Sequence, residues 1–176
     1  MADKKIVLGS GKLYVVAYTN EVPVDSVIET EDNLIGYIQG GATLTYTPSF
    51  YEAKDDLGYV VKKMLTEEEV TFKSGVMTWN GETLQKLCST ARVTTDATTR
   101  TVKIGGLANY DGKSYVIHFV HEDNVEGDVR ITIVGQNEAG FEMAFAKDAE
   151  TVINAEFKAL PQDTDGTLIV YKEDVK

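Results

Sequence analysis

Apolar and polar positions alternate along most of this chain with the two-residue period of a pleated strand. Leu13, Val15 and Ala17 alternate with Tyr14, Val16 and Tyr18, apolar on both faces, which predicts a strand covered on both sides. In 41–48, Ala42, Leu44 and Tyr46 oppose Thr43, Thr45 and Thr47, so one face is coated with threonine and predicted to be wet. Pro48 ends that strand or places it at an edge. A long strand is predicted over 68–79, with a bulge or bend near Ser74-Gly75. Further strands are expected at 101–104, 113–121, 128–134, 140–146, 152–160 and 167–171. The clearest is 152–160, where Ile153, Ala155, Phe157 and Ala159 share one face.

One segment keeps a helical period. Leu84, Leu87, Cys88 and Ala91 recur at i, i+3, i+4 and i+7 behind Asn80, a good N-cap, and Glu82, which suits the positive helix end. A helix over 80–91 is predicted to lay that stripe on a sheet, with Cys88 as a small core residue. Turn signals fall at Asp111-Gly112, Glu126-Gly127, Glu138-Ala139-Gly140 and Asp165-Gly166. Strands joined by turns and not by helices predict a mainly β fold, an antiparallel sandwich or barrel with one flanking helix. The stretch 49–63 keeps neither period and mixes aromatic with charged residues. It is predicted to be a long loop, either packed locally or used as an interaction arm.

The 176 residues predict one domain, 1–176, with enough chain for a core without staples. Cys88, the single cysteine, forms no internal disulfide and fits folding in a reducing compartment. The start, Met1 to Lys5, is charged, and the apolar stretch after it breaks at Gly9-Ser10-Gly11. No signal peptide or membrane span is expected, so the product is predicted to be soluble and made in a cytoplasm. A net charge of −11 gives no attraction for phosphates, so specific nucleic-acid binding is not expected. The same charge serves solubility, or a surface past which nucleic acid slides.

Catalytic and ligand signatures fail one by one. His118 and His121 are three apart on a predicted strand, point to opposite faces and cannot share one metal. No G-x-S-x-G nucleophile elbow occurs. Between Gly106 and Gly112 stand five residues where a phosphate loop has four, and the strand after Lys113-Ser114 supplies no helix N-terminus, so a hairpin turn is predicted. At Gly9-Ser10-Gly11-Lys12, Leu13 replaces the hydroxyl residue. Asp163 to Gly166 has the wrong glycine spacing for a calcium loop, and His121 to Asp128 reads as a solvated hairpin loop. No catalytic residue, metal or cofactor is expected, and the chain is not expected to be an enzyme.

In their order along the chain, several stretches carry a family resemblance: Val7 to Tyr14, Ile35 to Ala42, Phe50 to Asp56, Gly75 to Asn80, Phe157 to Gln162 and Asp165 to Leu168. The chain resembles the tail tube (major tail) proteins of long-tailed phages, prophages and tail-like particles of Gram-positive bacteria. The resemblance implies hexameric rings stacked into a hollow virion tail through which DNA passes without specific binding, with tape-measure and other tail proteins as partners. It implies that the long strands 35–48 and 66–79 pair across subunits into an inner barrel, with Thr43, Thr45 and Thr47 on the lumen face. It implies that the loop 49–63, with Phe50, Tyr51, Glu52, Lys54, Asp55, Asp56 and Leu57, reaches a neighbouring subunit or ring. A tube protein of a contractile injection or secretion system, and an unrelated β-sandwich binding module, are the competing expectations.

Overall fold

The computed structural model describes residues 10–76, 78–145, 147, 148 and 150–175. Val7 to Gly9, Met77 and Ala146, which enter expectations above, lie outside the described residues, as does the charged start. The fold is mainly β. The strands are β1 (Lys12–Ala17), β2 (Leu34–Gly36), β3 (Ile38–Lys54), β4 (Val60–Val76), β5 (Arg92–Thr95), β6 (Arg100–Lys103), β7 (Tyr115–His121), β8 (Val129–Asn137), β9 (Ile153–Leu160) and β10 (Val170–Glu173). Two short helices, α1 (Asp25–Ile28) and α2 (Gly81–Leu87), lie among them.

Eight strands form one antiparallel sheet in the order β2-β1-β7-β8-β9-β4-β3, while β5 and β6 pair separately. The eighth, β10, shares an edge of β8 with β9: β10 pairs residues 129–132 and β9 pairs 134–137. At this fork the β9 backbone crosses so close that a Cβ at Gly135 would collide with the Lys158 carbonyl oxygen, which is why a glycine stands there. Past the fork the sheet folds over itself. Phe72 on β4 and Phe119 on β7 are three strands apart, which is ~14 Å in a flat sheet. Their rings lie 5.8 Å apart, so the two halves face each other in a sandwich-like arrangement.

The core between the halves gathers Leu13, Ile35, Phe72, Ile117, Ile133 and Phe157, closed at one side by Leu84 and Leu87 of α2. Tyr14, Val116, Val120 and Val134 point the other way and are covered by Ile28, Val22 and Leu34. The two-sided apolar pattern of β1 therefore has its predicted cause, since Leu13, Tyr14 and Val15 are all buried.

Four sequence expectations are corrected. The helix ends at Leu87 and not at Ala91, because Asn137 Nδ2 donates to the Leu87 carbonyl at 2.8 Å and Cys88 is extended. Residues 140–145 are irregular and not a strand. The stretch 106–113 is no hairpin turn but the crossing from the small sheet to β7, with a short 3₁₀ turn at Leu107–Asn109. The fourth correction is the largest: 49–63 is not a long loop. Residues 50–54 complete β3, 60–63 begin β4, and only 55–59 turn between them.

Candidate functional site

β3 and β4 are 17 residues each and form a ribbon far longer than the sheet that carries it. β9 pairs with β4 only from Thr71 to Val76, so Val60 to Val70 have a partner on the β3 side alone. From Thr71 to Val60 the ribbon projects ~35 Å beyond the sheet. Among the described residues the other side of β3 pairs with no strand, since β3 ends the sheet order. Both long edges of the ribbon thus present rows of backbone donors and acceptors.

Local chemistry explains why the chain turns where it does. Asp55 Oδ1 accepts from the backbone N–H of Leu57 at 3.0 Å and of Tyr59 at 2.8 Å. Gly58, at φ 85°, supplies the left-handed residue. At the other end, Gln39 pairs with Gly75 and Ala42 with Ser74, so Gly40 and Gly41 are looped out of register. The irregularity predicted near Ser74-Gly75 lies on the opposite strand, where two consecutive glycines hold φ 81° and 78°.

Register divides the ribbon into two faces. Thr43, Thr45, Thr47 and Ser49 lie opposite Lys73, Thr71, Glu69 and Glu67 on one face. The three threonines are exposed, as their alternation predicts. In the body this face continues onto β9, where Lys73 pairs with Glu156 at 2.8 Å and Lys158 with Glu69 at 3.8 Å. Hydroxyls and cross-paired charges give it no apolar grip. The other face carries Leu44, Tyr46, Pro48 and Phe50 opposite Phe72, Val70, Glu68 and Leu65. It extends the core face outward: Phe72 and Val70 are buried, while Tyr46, Phe50 and Leu65 are not.

Of twenty exposed large apolar side chains among the described residues, nine fall between Tyr46 and Leu65. Concentrated in one ribbon, they make it the candidate contact surface, unlike apolar side chains scattered singly. The charge also differs here. In 50–65, Glu52, Asp55 and Asp56 are cancelled by Lys54, Lys62 and Lys63, although the whole chain carries −11. Lys63 pairs with Glu52 at 3.0 Å and lies 4.7 Å over the Phe50 ring, which stiffens the ribbon without hiding it.

The sequence-predicted contact residues are thus placed as follows. Phe50, Tyr51, Glu52 and Lys54 are strand residues of β3, and Asp55, Asp56 and Leu57 form the turn. Sequence reasoning missed Val60, Val61, Met64 and Leu65, which bring the partner strand into the same surface, and Glu67, Glu69 and Thr71, which complete the threonine face. The strand-like run Val60-Val61 was the available signal.

Several other titratable groups tie the fold together. His118 has no exposed surface; its Nε2 donates to Glu29 at 3.1 Å, and its Nδ1 accepts from the Thr132 hydroxyl at 2.8 Å. Burial pushes this imidazole below the ordinary histidine value, against the opposing pull of Glu29. Arg130 joins Glu29, Asp128 and Asp174, and Lys172 holds Asp25 at 2.7 Å, which ties β10 and α1 to β8. His121 points away from His118 and bonds the Ser10 carbonyl through Nδ1 at 2.7 Å. Among the described residues no group of three or more His, Cys, Asp or Glu is placed to hold a metal ion, and no helix is long and apolar enough to cross a membrane. No protein-family model matches the chain, and no curated protein matches it.

Proposed function

We propose that this chain is a structural tail tube subunit, a non-enzymatic protein whose copies close into hexameric rings and stack into a hollow conduit for DNA. The observation that carries the reading is the ribbon: two long strands with bare edges, an apolar face continuous with the core, and a polar face coated with threonine. A monomer leaves this ribbon wet and its edges unpaired, whereas copies arranged head to tail satisfy both. In a ring, the unpaired side of β3 and the Val60 to Val70 side of β4 in one copy lie against its neighbours, which covers the edges a monomer leaves bare.

Dimensions constrain the wall. Two strands from each of six copies, tilted as barrel strands are, close at only ~24 Å between backbones. A duplex ~20 Å wide needs more room once side chains line the passage. The wall therefore takes in β9 and β8 beside the ribbon. These continue the polar face through Glu156, Lys158 and Gln136, which lie in register with Lys73 and Thr71. Thr43, Thr45 and Thr47 then face the passage, and the apolar face turns toward the body and the neighbouring copy.

The test is a shortened ribbon. Replacing 48–68 by a two-residue Asn-Gly turn keeps Thr47 opposite Glu69 and Val70 in the core, and should give a folded protein that stays monomeric at concentrations where the full chain associates. Sedimentation velocity reads the result. Undiminished association of the shortened chain contradicts the proposal.

A further inference from the structure

The chain carries one Asn-Gly step, Asn80-Gly81, and two separate demands of the fold put it there. Asn80 is the N-cap of α2, its Oδ1 accepting from the backbone N–H of Glu82 at 2.8 Å and of Thr83 at 3.0 Å. The Thr83 hydroxyl accepts in turn from the Asn80 backbone N–H at 3.3 Å, which completes a capping box. Gly81 lies against β6, where an added Cβ would stand 2.8 Å from Cδ of Arg100 and 2.9 Å from Cγ2 of Val102. The cap selects a short side-chain carbonyl and the packing selects glycine. Together they place a chemically labile amide at the entry to the helix.

We propose that Asn80 is a site of spontaneous deamidation, with its rate set by opening of the α2 cap. The Gly81 nitrogen gives up its proton to solvent and attacks Asn80 Cγ; the bond from Cγ to Nδ2 breaks and ammonia leaves. Water then opens the five-membered imide. Attack at Cγ gives an aspartyl residue at position 80, and attack at the main-chain carbonyl gives an isoaspartyl residue. Water is the only co-reactant, and it reaches Asn80, which is exposed.

The native geometry opposes the first step. Ring closure needs the Gly81 nitrogen to eclipse Asn80 Cβ, and the extended backbone of Asn80, at φ −141° and ψ −174°, holds it out of that position. Turning it there swings the Asn80 carbonyl off the Leu84 N–H, which it accepts at 3.1 Å. The segment before the cap is anchored as well: Thr78 Oγ1 accepts from the Tyr37 N–H at 2.7 Å, and Trp79 packs against the core. The two N–H groups on Oδ1 make Cγ more electrophilic, but the nitrogen does not reach it while the cap is closed, so the anchoring decides the rate. The two products then differ. An aspartyl residue keeps the acceptor and adds a negative charge at the positive end of α2. An isoaspartyl residue runs the main chain through Cβ and Cγ, which lengthens the entry to α2 and shortens the side chain that capped it. That loosens the helix holding Leu84 and Leu87 on the core. The inference is independent of the tube reading.

The experiment incubates the full chain at about pH 8, once folded and once in concentrated urea. Mass spectrometry of the tryptic peptide 74–86 reads conversion, and isoaspartyl methyltransferase labelling reads the isoaspartyl share. Conversion should be ~tenfold or more slower in the folded chain. Thr83→Val removes one half of the capping box and should raise the folded-state rate several-fold, with thermal melting as the control for folding. Thr78→Val, which frees the segment before the cap, gives the same reading should Thr83→Val not fold. Asn80→Asp should melt no lower than the native chain, whereas aged chain rich in isoaspartate should melt lower. Equal rates in the folded and unfolded chain, or a folded variant that converts no faster than the native one, overturn the gating by the cap. No conversion in urea overturns the site itself.

Discussion

His118 illustrates how one buried side chain sets a pH limit on the whole fold. Neutral, it satisfies Glu29 and Thr132 together, and burial holds its folded value below the ordinary ~6.5. The unfolded chain therefore takes up the proton first as pH falls. The stability this site contributes is complete above about pH 6.5 and declines below it, toward the folded value. Melting temperature measured from pH 8 to 5 should fall below pH ~6.5 in the native chain, and His118→Gln should flatten that part of the curve. An equal slope in both proteins would remove His118 from the account. The histidines were legible as lying on opposite faces, because strand geometry alone decides that. Glu29 as the partner of His118 was not, since the two are separated by 89 positions. Asn80 was readable as a cap because capping is local, and its Oδ1 does accept from Glu82 and Thr83 at 2.8 and 3.0 Å. Asn80→Ala should cost about 1 kcal/mol in chemical denaturation.

At the scale of elements, legibility follows burial. β9 was read correctly because one face is buried and the other wet, with Ile153, Ala155 and Phe157 inside. The outer part of the ribbon, 49–63, was misread as a loop because both its faces meet solvent, so no apolar alternation marks it. Bulges between Ser49/Phe50 and Ala53/Lys54 shift the opposing face and blur the pattern again. The strand expected over 140–146 is replaced by irregular chain at 140–145, and the one expected at 167–171 begins only at Val170, for the converse reason: the apolar residues Phe141, Met143, Leu168 and Ile169 pack against the core from irregular chain. The glycine bulge carries its own prediction. Gly40→Val or Gly41→Val meets no crowding but demands a left-handed backbone, and should cost about 1–2 kcal/mol in urea denaturation. Neutral substitutions at both positions would mean that β3 does not loop out there.

For the whole molecule, the charge gains a use in the proposed assembly. Six copies carry about −66 before counterions, while residues 50–65 are neutral, so the outer part of the ribbon adds no repulsion and its charge lies nearer the body at Glu67, Glu68 and Glu69. The face assigned to the passage combines threonines with the paired charges of Lys73–Glu156 and Lys158–Glu69, which offers DNA neither a cationic strip nor an apolar hold. Replacing Thr45 and Thr47 with lysine should therefore slow DNA ejection from assembled particles and make it more sensitive to salt. Unchanged ejection through an intact tube would place these residues elsewhere. The sequence revealed the sandwich class through alternation and turn spacing, but the ribbon only in fragments, because its outer strands bury neither face against the body. The most direct measurement is negative-stain electron microscopy of the purified full chain over rising concentration. Rings that lengthen into hollow tubes are the expected result, and a strictly monomeric protein at every concentration would contradict the account.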